Sequence, residues 1–314
     1  MEEVKFENAY FIKLGEKGKW AEESIAKGIV RIGWKKVFLD DINNANWENV
    51  KKVIKQDYTE RDKKNGSTQD YEALKRFCDA NEEDVLITFY ENKMYWCKLV
   101  NGPVRQDDVS KFRKTKNGWS CNPINSPDKI FYSNEISGKI SKTQAFQGTL
   151  CQYKAKEEID IVNRLINGIQ NPFVKEIRKK KGEICKLITN IITDLHWKDC
   201  EIITDLIFQQ SGWYRVSMSG GSMEFMDFEY VEPINNDRYI VQVKSGAKRS
   251  DFLNYQSQFI HKGYRKLFFV SFNPHEDLID YEPEKDNIMN LCGLKLATLI
   301  FDLGLVEWVL KKSF

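Results

Sequence analysis

The chain has 314 residues, which at roughly 150 residues per domain is enough for two domains. Hydrophobic residues make up 41% and charged residues 30%, and 48 Lys and Arg residues nearly balance 46 Asp and Glu residues, leaving a net charge of +2. This composition is typical of a globular protein and excludes a disordered or fibrous chain and a uniformly basic nucleic-acid-binding chain, although not a local basic surface.

The start of the chain and its cysteines predict a reduced, cytoplasmic protein. Residues 1–7 are acidic and polar, unlike a secretory signal, and no apolar run approaches the roughly 20 residues that span a bilayer. The seven cysteines are scattered and form no Cys-x-x-Cys pair, which disfavours a disulfide framework or a zinc site. Only three histidines are present, which leaves little for zinc-hydrolase or Ser-His-Asp chemistry.

Residues 1–152 are predicted to form an α+β domain that is rich in strands. Short apolar segments at 10–14 and 28–34 indicate strands, and apolar residues at helical spacing indicate a helix over 68–80. Two further apolar segments, 84–90 and 93–100, flank a Glu-Asn pair that suits a hairpin turn. Strands interrupted by short helices predict a strongly bent sheet or partial barrel.

Aromatic residues reach 13% of the chain, and large cores or ring-stacking sites are the two uses for them. For each tryptophan of the first domain, core packing is the simpler interpretation. Trp20 and Trp34 are the better candidates for a ligand pocket, because each is predicted at the end of an element beside charged residues.

These segments resemble the PUA-like superfamily, which includes the EVE and YTH domains. The resemblance is carried by residues 11–15 with Trp20, by 28–34, by 84–90 and by Tyr95-Trp96. It implies a small barrel whose mouth holds a modified or flipped base between aromatic rings. Asp40 and Asn92 are candidates for reading the edge of the base, and the polar stretch 141–149 suits either DNA phosphate contacts or a plain loop.

Residues 153–192 are predicted to form a helical linker between the two domains. Helices are expected over roughly 156–169 and 173–194, with a break at Asn171-Pro172. The second helix carries Arg178-Lys179-Lys180-Lys181, which fits either a solvated helix face or a patch that follows a nucleic-acid backbone.

Residues 193–314 are predicted to form an α/β domain with a central mixed sheet. Its expected elements are a helix over 197–210, strands at 213–217, 225–230 and 238–244, a helix over 250–262, a buried strand at 267–270 and a carboxy-terminal segment, 296–312. This order places helices on the faces of one compact sheet.

Asp227 lies on one predicted strand of this domain, and Gln242 and Lys244 lie two residues apart on the next, so that both point to one sheet face. This layout suits metal-dependent phosphodiester cleavage. Asp227, Gln242 and the main-chain carbonyl of Val243 would hold Mg²⁺, and Lys244 would position or deprotonate the attacking water. Glu201, on the preceding helix, would hold a further water or another metal ion.

Simpler interpretations of these residues remain open. Gln242 as a neutral strand residue and Lys244 as a solvent-facing lysine would account for the same spacing, but would leave a polar face within an otherwise apolar sheet. Glu229, on the same strand face as Asp227, is an alternative metal ligand, and Glu224 is a poorer one.

The segment from about 195 to 270 resembles the Mrr-like branch of the PD-(D/E)xK restriction endonucleases, which similarly has glutamine where most relatives have an acid. The resemblance is carried by residues 201–208, Gly212-Trp213, Gly220-Gly221, Asp227 and the run 241–245. It implies a restriction-endonuclease-like core in which Asp227 and Gln242 are metal ligands, Lys244 is catalytic and Glu201 supports them. The spacing departs from the family pattern, because Gly221 stands six residues before Asp227.

Together, the two resemblances imply a Mg²⁺-dependent endonuclease that restricts foreign double-stranded DNA in antiviral defence, with a reader for a modified base such as a modified cytosine. Lys248 and Arg249 are further candidates for DNA contacts. Cutting both strands requires two active sites, so a homodimer or larger homo-oligomer is expected. The alternatives are a nuclease activated by RNA or a nucleotide, and a catalytically inactive nucleic-acid-binding protein.

Overall fold

The structure, a computed structural model, describes residues 3–62, 65–216, 226–259, 263–283 and 287–313. The chain divides into two compact units, Met1–Asn171 and Pro172–Phe314, and each contains both helices and strands. The predicted linker, 153–192, is therefore shared between the units, because its first helix lies in the first unit and its second helix in the second. Within the described ranges, no helix combines the length and the apolar character needed to cross a membrane.

The first unit is an α+β arrangement. Its strands are β1 (Asn8–Ile12), β2 (Ile29–Ile32), β3 (Asp84–Tyr90), β4 (Lys93–Leu99), β5 (Arg105–Gln106), β6 (Lys111–Ser120) and β7 (Leu150–Tyr153). Its helices are α1 (Ala21–Lys27), α2 (Leu39–Asn43), α3 (Trp47–Glu60), α4 (Ser67–Asp79), α5 (Gly138–Ser141) and α6 (Lys156–Asn167), with 3-10 turns at Glu16–Gly18 and Lys142–Ala145.

These seven strands form one curled, mixed sheet that closes to about half a barrel. The strand order is β2-β6-β4-β3-β1-β7, with β5 beside β6; β1 runs parallel to β3, and the other pairs are antiparallel. The curl confirms the predicted bent sheet, whereas the PUA-like assignment stays a prediction. The predicted hairpin is also confirmed, because Glu91 and Asn92 between β3 and β4 have φ values of 45° and 59°, as a two-residue turn with two left-handed residues requires.

Two apolar clusters cover the two faces of this sheet. Along β1, Tyr10 and Ile12 belong to one cluster and Ala9 and Phe11 to the other, as the alternation of side chains along a strand requires. Helices α3 and α4 pack on the first face, and α6 packs on the second. Packing on this sheet makes α6 part of the first unit rather than of a linker.

The second unit has a mixed sheet with helices on both faces. Its strands are β8 (Tyr214–Arg215), β9 (Phe228–Val231), β10 (Arg238–Ala247), β11 (Lys266–Pro274) and β12 (Ile288–Cys292). Its helices are α7 (Pro172–Ile192), α8 (Trp197–Gln210), α9 (Arg249–Gln258), α10 (Glu276–Ile279), α11 (Gly293–Asp302) and α12 (Val306–Lys312).

The strand order of this sheet is β12-β11-β10-β9-β8, with β10, β11 and β12 parallel and the remaining pairs antiparallel. Val241 and Val243 of β10 face a cluster with α7, α8 and α11, whereas Ile240 faces the cluster that contains α9. This arrangement confirms the predicted α/β unit with a central mixed sheet. The restriction-endonuclease-like assignment stays a prediction.

Candidate active site and aromatic pocket

The predicted acid and glutamine lie side by side in the second unit. Asp227 immediately precedes β9, rather than lying within that strand, and its amide still donates to the Val241 carbonyl at 3.0 Å. Its Oδ2 accepts hydrogen bonds from Gln242 Nε2 at 2.5 Å and from the Val243 amide at 2.6 Å. These bonds hold the carboxylate against the middle of β10.

Gln242 is a buried polar side chain, with 5% of its surface exposed. A buried amide requires hydrogen-bond partners, and Gln242 Nε2 finds them in the Asp227 carboxylate and in the Val243 carbonyl at 3.3 Å. Rotation of the amide by half a turn would exchange nitrogen for oxygen at this point. The same side chain can thus present an oxygen beside the Asp227 carboxylate.

A second carboxyl group, that of Glu201, interacts electrostatically with Asp227. The pKa of Glu201, on α8, is raised by partial burial and by the negative charge of Asp227, while Arg215 and Lys198 act in the opposite direction. Burial also raises the pKa of Asp227, against the hydrogen bond from Val243 and the positive charge of Lys244. Because two neighbouring carboxylates repel each other in a partly buried site, the site favours a bound cation.

Lys244 lies on the same face of β10 as Gln242, as predicted, while Val241 and Val243 lie in the apolar cluster on the opposite face. Lys244 is half-buried, and its Nζ stands 5.3 Å from the centre of the Tyr255 ring on α9. Its charge lowers the pKa of Asp227, so the ammonium and the carboxylate are close enough to interact. The polar face of β10 therefore carries Gln242 and Lys244, and both of these side chains interact with the Asp227 carboxylate.

Glu229, the alternative ligand, lies in a different environment. It pairs with Ile240 across the β9–β10 ladder and forms an ion pair with Arg238. The structure thus brings Asp227, rather than Glu229, against Gln242. Glu224 and the Gly220-Gly221 loop lie outside the described residues.

The available donors decide which metal ion this site suits. In the part of the chain that the structure describes, no group of three or more His, Cys, Asp and Glu side chains is placed to hold a metal ion. The oxygens here are of three kinds: the carboxylates of Asp227 and Glu201, the Gln242 amide and the Val243 carbonyl. Such hard oxygen ligands fit Mg²⁺, which keeps several waters and needs few protein ligands.

Lys248 and Arg249 follow directly after β10, at the start of α9. Both are exposed. The Lys248 amide donates to Asp251 at 2.8 Å, and the Arg249 guanidinium lies 4.2 Å from the centre of the Tyr281 ring. The two residues thus place exposed cationic side chains next to the strand that carries Gln242 and Lys244.

The first unit contains a pocket of about 720 Å³, within the range of small-molecule sites, and Trp20 and Trp34 both line it. The polar stretch predicted at 141–149 contributes residues 147–149 to its wall. Its charged lining residues are Lys13, Lys17, Lys19, Lys35, Lys36, Arg61, Glu16, Asp57 and Asp70. Cations therefore outnumber acids around two aromatic rings.

Trp34 has an unusual backbone conformation. Its φ is 59°, in the left-handed region that bulky residues rarely adopt. Its carbonyl accepts hydrogen bonds from the Val37 amide at 3.1 Å and from Lys111 Nζ at 3.0 Å. Lys111 is 1% exposed, and burial lowers its pKa. A buried lysine thus holds the Trp34 carbonyl beside the pocket, and backbone strain of this kind is concentrated at functional sites.

Three further polar residues of the pocket carry no sequence motif and were not predicted. Asp57 on α3 forms ion pairs with Lys36 and Arg61, each at 2.8 Å. The Tyr58 hydroxyl donates to Asp70 at 2.8 Å, and burial followed by this bond raises the pKa of Tyr58 to about 12. Their only sequence signal is a position near the end of an amphipathic helix.

The other predicted reader residues lie outside the pocket lining. Trp96 is a core residue, because it is 9% exposed and its indole nitrogen donates to the Asn122 carbonyl at 2.9 Å. Its ring is therefore unavailable for stacking on a base, contrary to the prediction. Tyr95 is half-buried on β4, Asp40 is exposed in the first turn of α2, and Asn92 forms the hairpin turn.

Comparison with known proteins gave no matching family model, no matching curated protein and no matching solved structure.

Proposed function

We propose that the chain is a Mg²⁺-dependent DNA endonuclease whose second unit cuts phosphodiester bonds and whose first unit binds a modified base. The observation that supports cutting is the convergence of the Asp227 carboxylate, the Gln242 amide and the Val243 carbonyl, with Glu201 and Lys244 beside them. Restriction of foreign DNA in the cytoplasm is the biological role that this activity would serve.

Each group of the cluster has a defined part in this chemistry. Mg²⁺, when bound, supplies charge stabilisation at the scissile phosphate and acidifies a bound water. Asp227, Glu201, Gln242 and the Val243 carbonyl provide the oxygens that hold the ion. As the ammonium, Lys244 orients the attacking water and offsets the negative charge that develops on the phosphate oxygens. As the neutral amine, Lys244 would instead accept the proton of that water.

Two sets of residues would contact DNA away from the bond that is cut. Lys248 and Arg249 bind backbone phosphates beside the end of β10, which gives affinity without reading sequence. In the first unit, Trp20 and Trp34 stack on a base turned out of the helix, and each base–ring contact contributes about 1–3 kcal/mol. Tyr58 and Asp70, which line the same pocket, would hydrogen-bond to the edge of that base.

Cutting is tested with methylated, hydroxymethylated and plain duplex DNA, in Mg²⁺ and in EDTA. We expect the wild type to cut a modified duplex in Mg²⁺ and Lys244→Ala to be slower by about 10²–10⁴-fold, the usual contribution of a proton-transfer residue. Lys186→Ala, which removes an exposed lysine of α7, is the matched control and should cut at the wild-type rate. If neither protein cuts any of the substrates, the protein only binds nucleic acid, and if both cut at the same rate, Lys244 takes no part in the chemistry.

The reader is tested by Trp20→Ala on the same substrates. We expect this variant to lose the preference for modified DNA while it retains residual cutting of plain DNA, because the active site is unchanged. A wild type that cuts plain and modified DNA equally well would remove the basis for a modified-base reader. Cutting that begins only after RNA or a nucleotide is added would instead identify an activated nuclease.

A further inference from the structure

Helix α7 has an apolar stripe on its exposed side. Phe173, Ile177, Ile184 and Leu187 are 74%, 66%, 39% and 61% exposed. The helix is attached to the core of the second unit by Cys185, Ile188 and Ile192, and Ile191 packs partly against the same core. The exposed stripe is thus additional to the face that stabilises the unit, and contiguous exposed apolar surface of this kind marks interaction sites.

The stripe follows a heptad repeat. Positions 173, 177, 180, 184, 187 and 191 are separated by alternate steps of four and three residues, and all except Lys180 are apolar. A repeat of 3.5 residues is typical of a helix that packs along a second helix. At 1.5 Å per residue these six positions, the heptad seam, extend over about 27 Å.

Acidic side chains of the same chain offset part of the positive charge of the basic run. Lys179 and Lys180 form ion pairs with Glu183 at 3.9 and 3.2 Å, and Lys181 forms one with Asp302. Two carboxylates of the same chain, Glu183 and Asp302, thereby offset part of the charge of these three lysines. This finding favours the solvated helix face that was one interpretation of the run.

Lys180 determines which orientation of two α7 helices is compatible with the seam. A parallel pair would place Lys180 opposite its own copy, with two like charges at the interface. In an antiparallel pair centred on Gly182, Lys180 lies opposite Ile184 of the partner subunit and beside Glu183 of the partner subunit. The same alignment sets Ile177 opposite Leu187 of the partner subunit, so that apolar side chains meet along the rest of the seam.

We propose that the heptad seam is the interface at which two copies of this chain pair through antiparallel α7 helices. A two-fold interface must be self-complementary, and the centre at Gly182 makes every seam contact occur twice. The proposal rests on α7 alone and does not require nuclease activity. In a protein that cuts DNA, the pair brings together the two active sites needed for two strands.

Sedimentation equilibrium of the full chain measures the pairing. One chain has a mass of 36.9 kDa, and we expect the wild type to have twice that mass. The double variant Ile177→Asp/Ile184→Asp should raise the dimer dissociation constant at least about 100-fold, because it places charges in an apolar seam. Lys175→Asp introduces the same change in net charge on the opposite side of α7 and should remain a dimer. A monomeric wild type, or a seam variant that still pairs, overturns the proposal.

Two variants that add no charge to the seam keep the test informative if the double variant unfolds. Lys180→Leu should tighten the dimer about tenfold, since it replaces a charge with an apolar group at the interface; weaker pairing overturns the proposal. With oxidised glutathione as the oxidant, Ile177→Cys combined with Leu187→Cys should form a disulfide between copies. Ile177→Cys alone should not, because the two copies of that residue lie about 15 Å apart along the seam. Cross-linking by the single variant overturns the antiparallel arrangement.

Discussion

Trp34 provides a direct test of how the pocket is built, because its ring and its backbone have opposite effects on stability. The ring is half-buried and packs against the core of the first unit, which stabilises the fold. The backbone, with φ at 59°, is in the left-handed region, where a residue with a Cβ atom is strained by about 1–2 kcal/mol. Trp34→Ala removes the ring and keeps the strain, whereas Trp34→Gly removes both.

The expected difference between these variants follows from two opposing effects. Glycine ordinarily lowers stability relative to alanine by about 0.4–1 kcal/mol, because it is more flexible in the unfolded chain. Relief of about 1–2 kcal/mol of strain exceeds this loss. The glycine variant should therefore be the more stable of the two by about 0.5–1 kcal/mol, while the loss of the ring affects both alike.

Urea denaturation gives the free energy of unfolding of both variants. Both should also lose preference for modified DNA, because both lack the ring. An alanine variant that is as stable as the glycine variant, or more stable, would refute the left-handed conformation and with it the strain at the pocket.

Three other perturbations give separate tests. Lys111→Met should weaken binding of a modified duplex about tenfold, as measured by tryptophan fluorescence, because the hydrogen bond to the Trp34 carbonyl is lost. The free energy of unfolding should change by less than about 1 kcal/mol, because the loss of this bond is offset by the removal of a buried charge. Asp107→Asn should lower the free energy of unfolding by about 2 kcal/mol at neutral pH, because the buried Arg31 loses the charge of its main partner. Arg31 in turn holds the pKa of Asp107 below its unfolded value of about 3.9, so the difference from the wild type should shrink in urea titrations below about pH 4. A difference that is constant with pH would contradict that assignment. Gln242→Glu places a second carboxylate against the first, so Mg²⁺ should raise its thermal midpoint more than that of the wild type, and an equal shift would argue against metal binding there.

Local sequence patterns were sufficient to predict much of the second unit. The alternation of side chains along residues 238–244 depends only on strand geometry, and it correctly placed Gln242 and Lys244 on one face of β10. The choice between Asp227 and Glu229 could not be made in this way, because it depends on the β9–β10 register and on where β9 begins. Those features arise from pairing between segments about 15 residues apart.

The aromatic pocket shows where such patterns fail. The position of Trp20 and Trp34 at the ends of predicted elements correctly indicates that they line a pocket. Trp96, which has an aromatic neighbour in the sequence, is instead buried in the core. Whether a ring on a strand is buried depends on which helix packs on its face of the sheet. Hydrophobic periodicity along the sequence does not specify that helix. The bond between Lys111 and Trp34 joins residues 77 positions apart, so only the folded chain reveals it.

Cleavage of a modified duplex by the wild type and by Asp227→Asn is the most direct test of the proposed active site. Asparagine preserves the shape of Asp227 but removes its charge, and thermal unfolding establishes that the variant is folded. We expect the wild type to cut both strands in Mg²⁺ and neither in EDTA, and Asp227→Asn to cut at least about 10³-fold more slowly, as for the loss of a charged group that acts at the reacting phosphate. Equal cutting by the two proteins, or cutting by the wild type that continues in EDTA, would contradict a metal-dependent nuclease at this site.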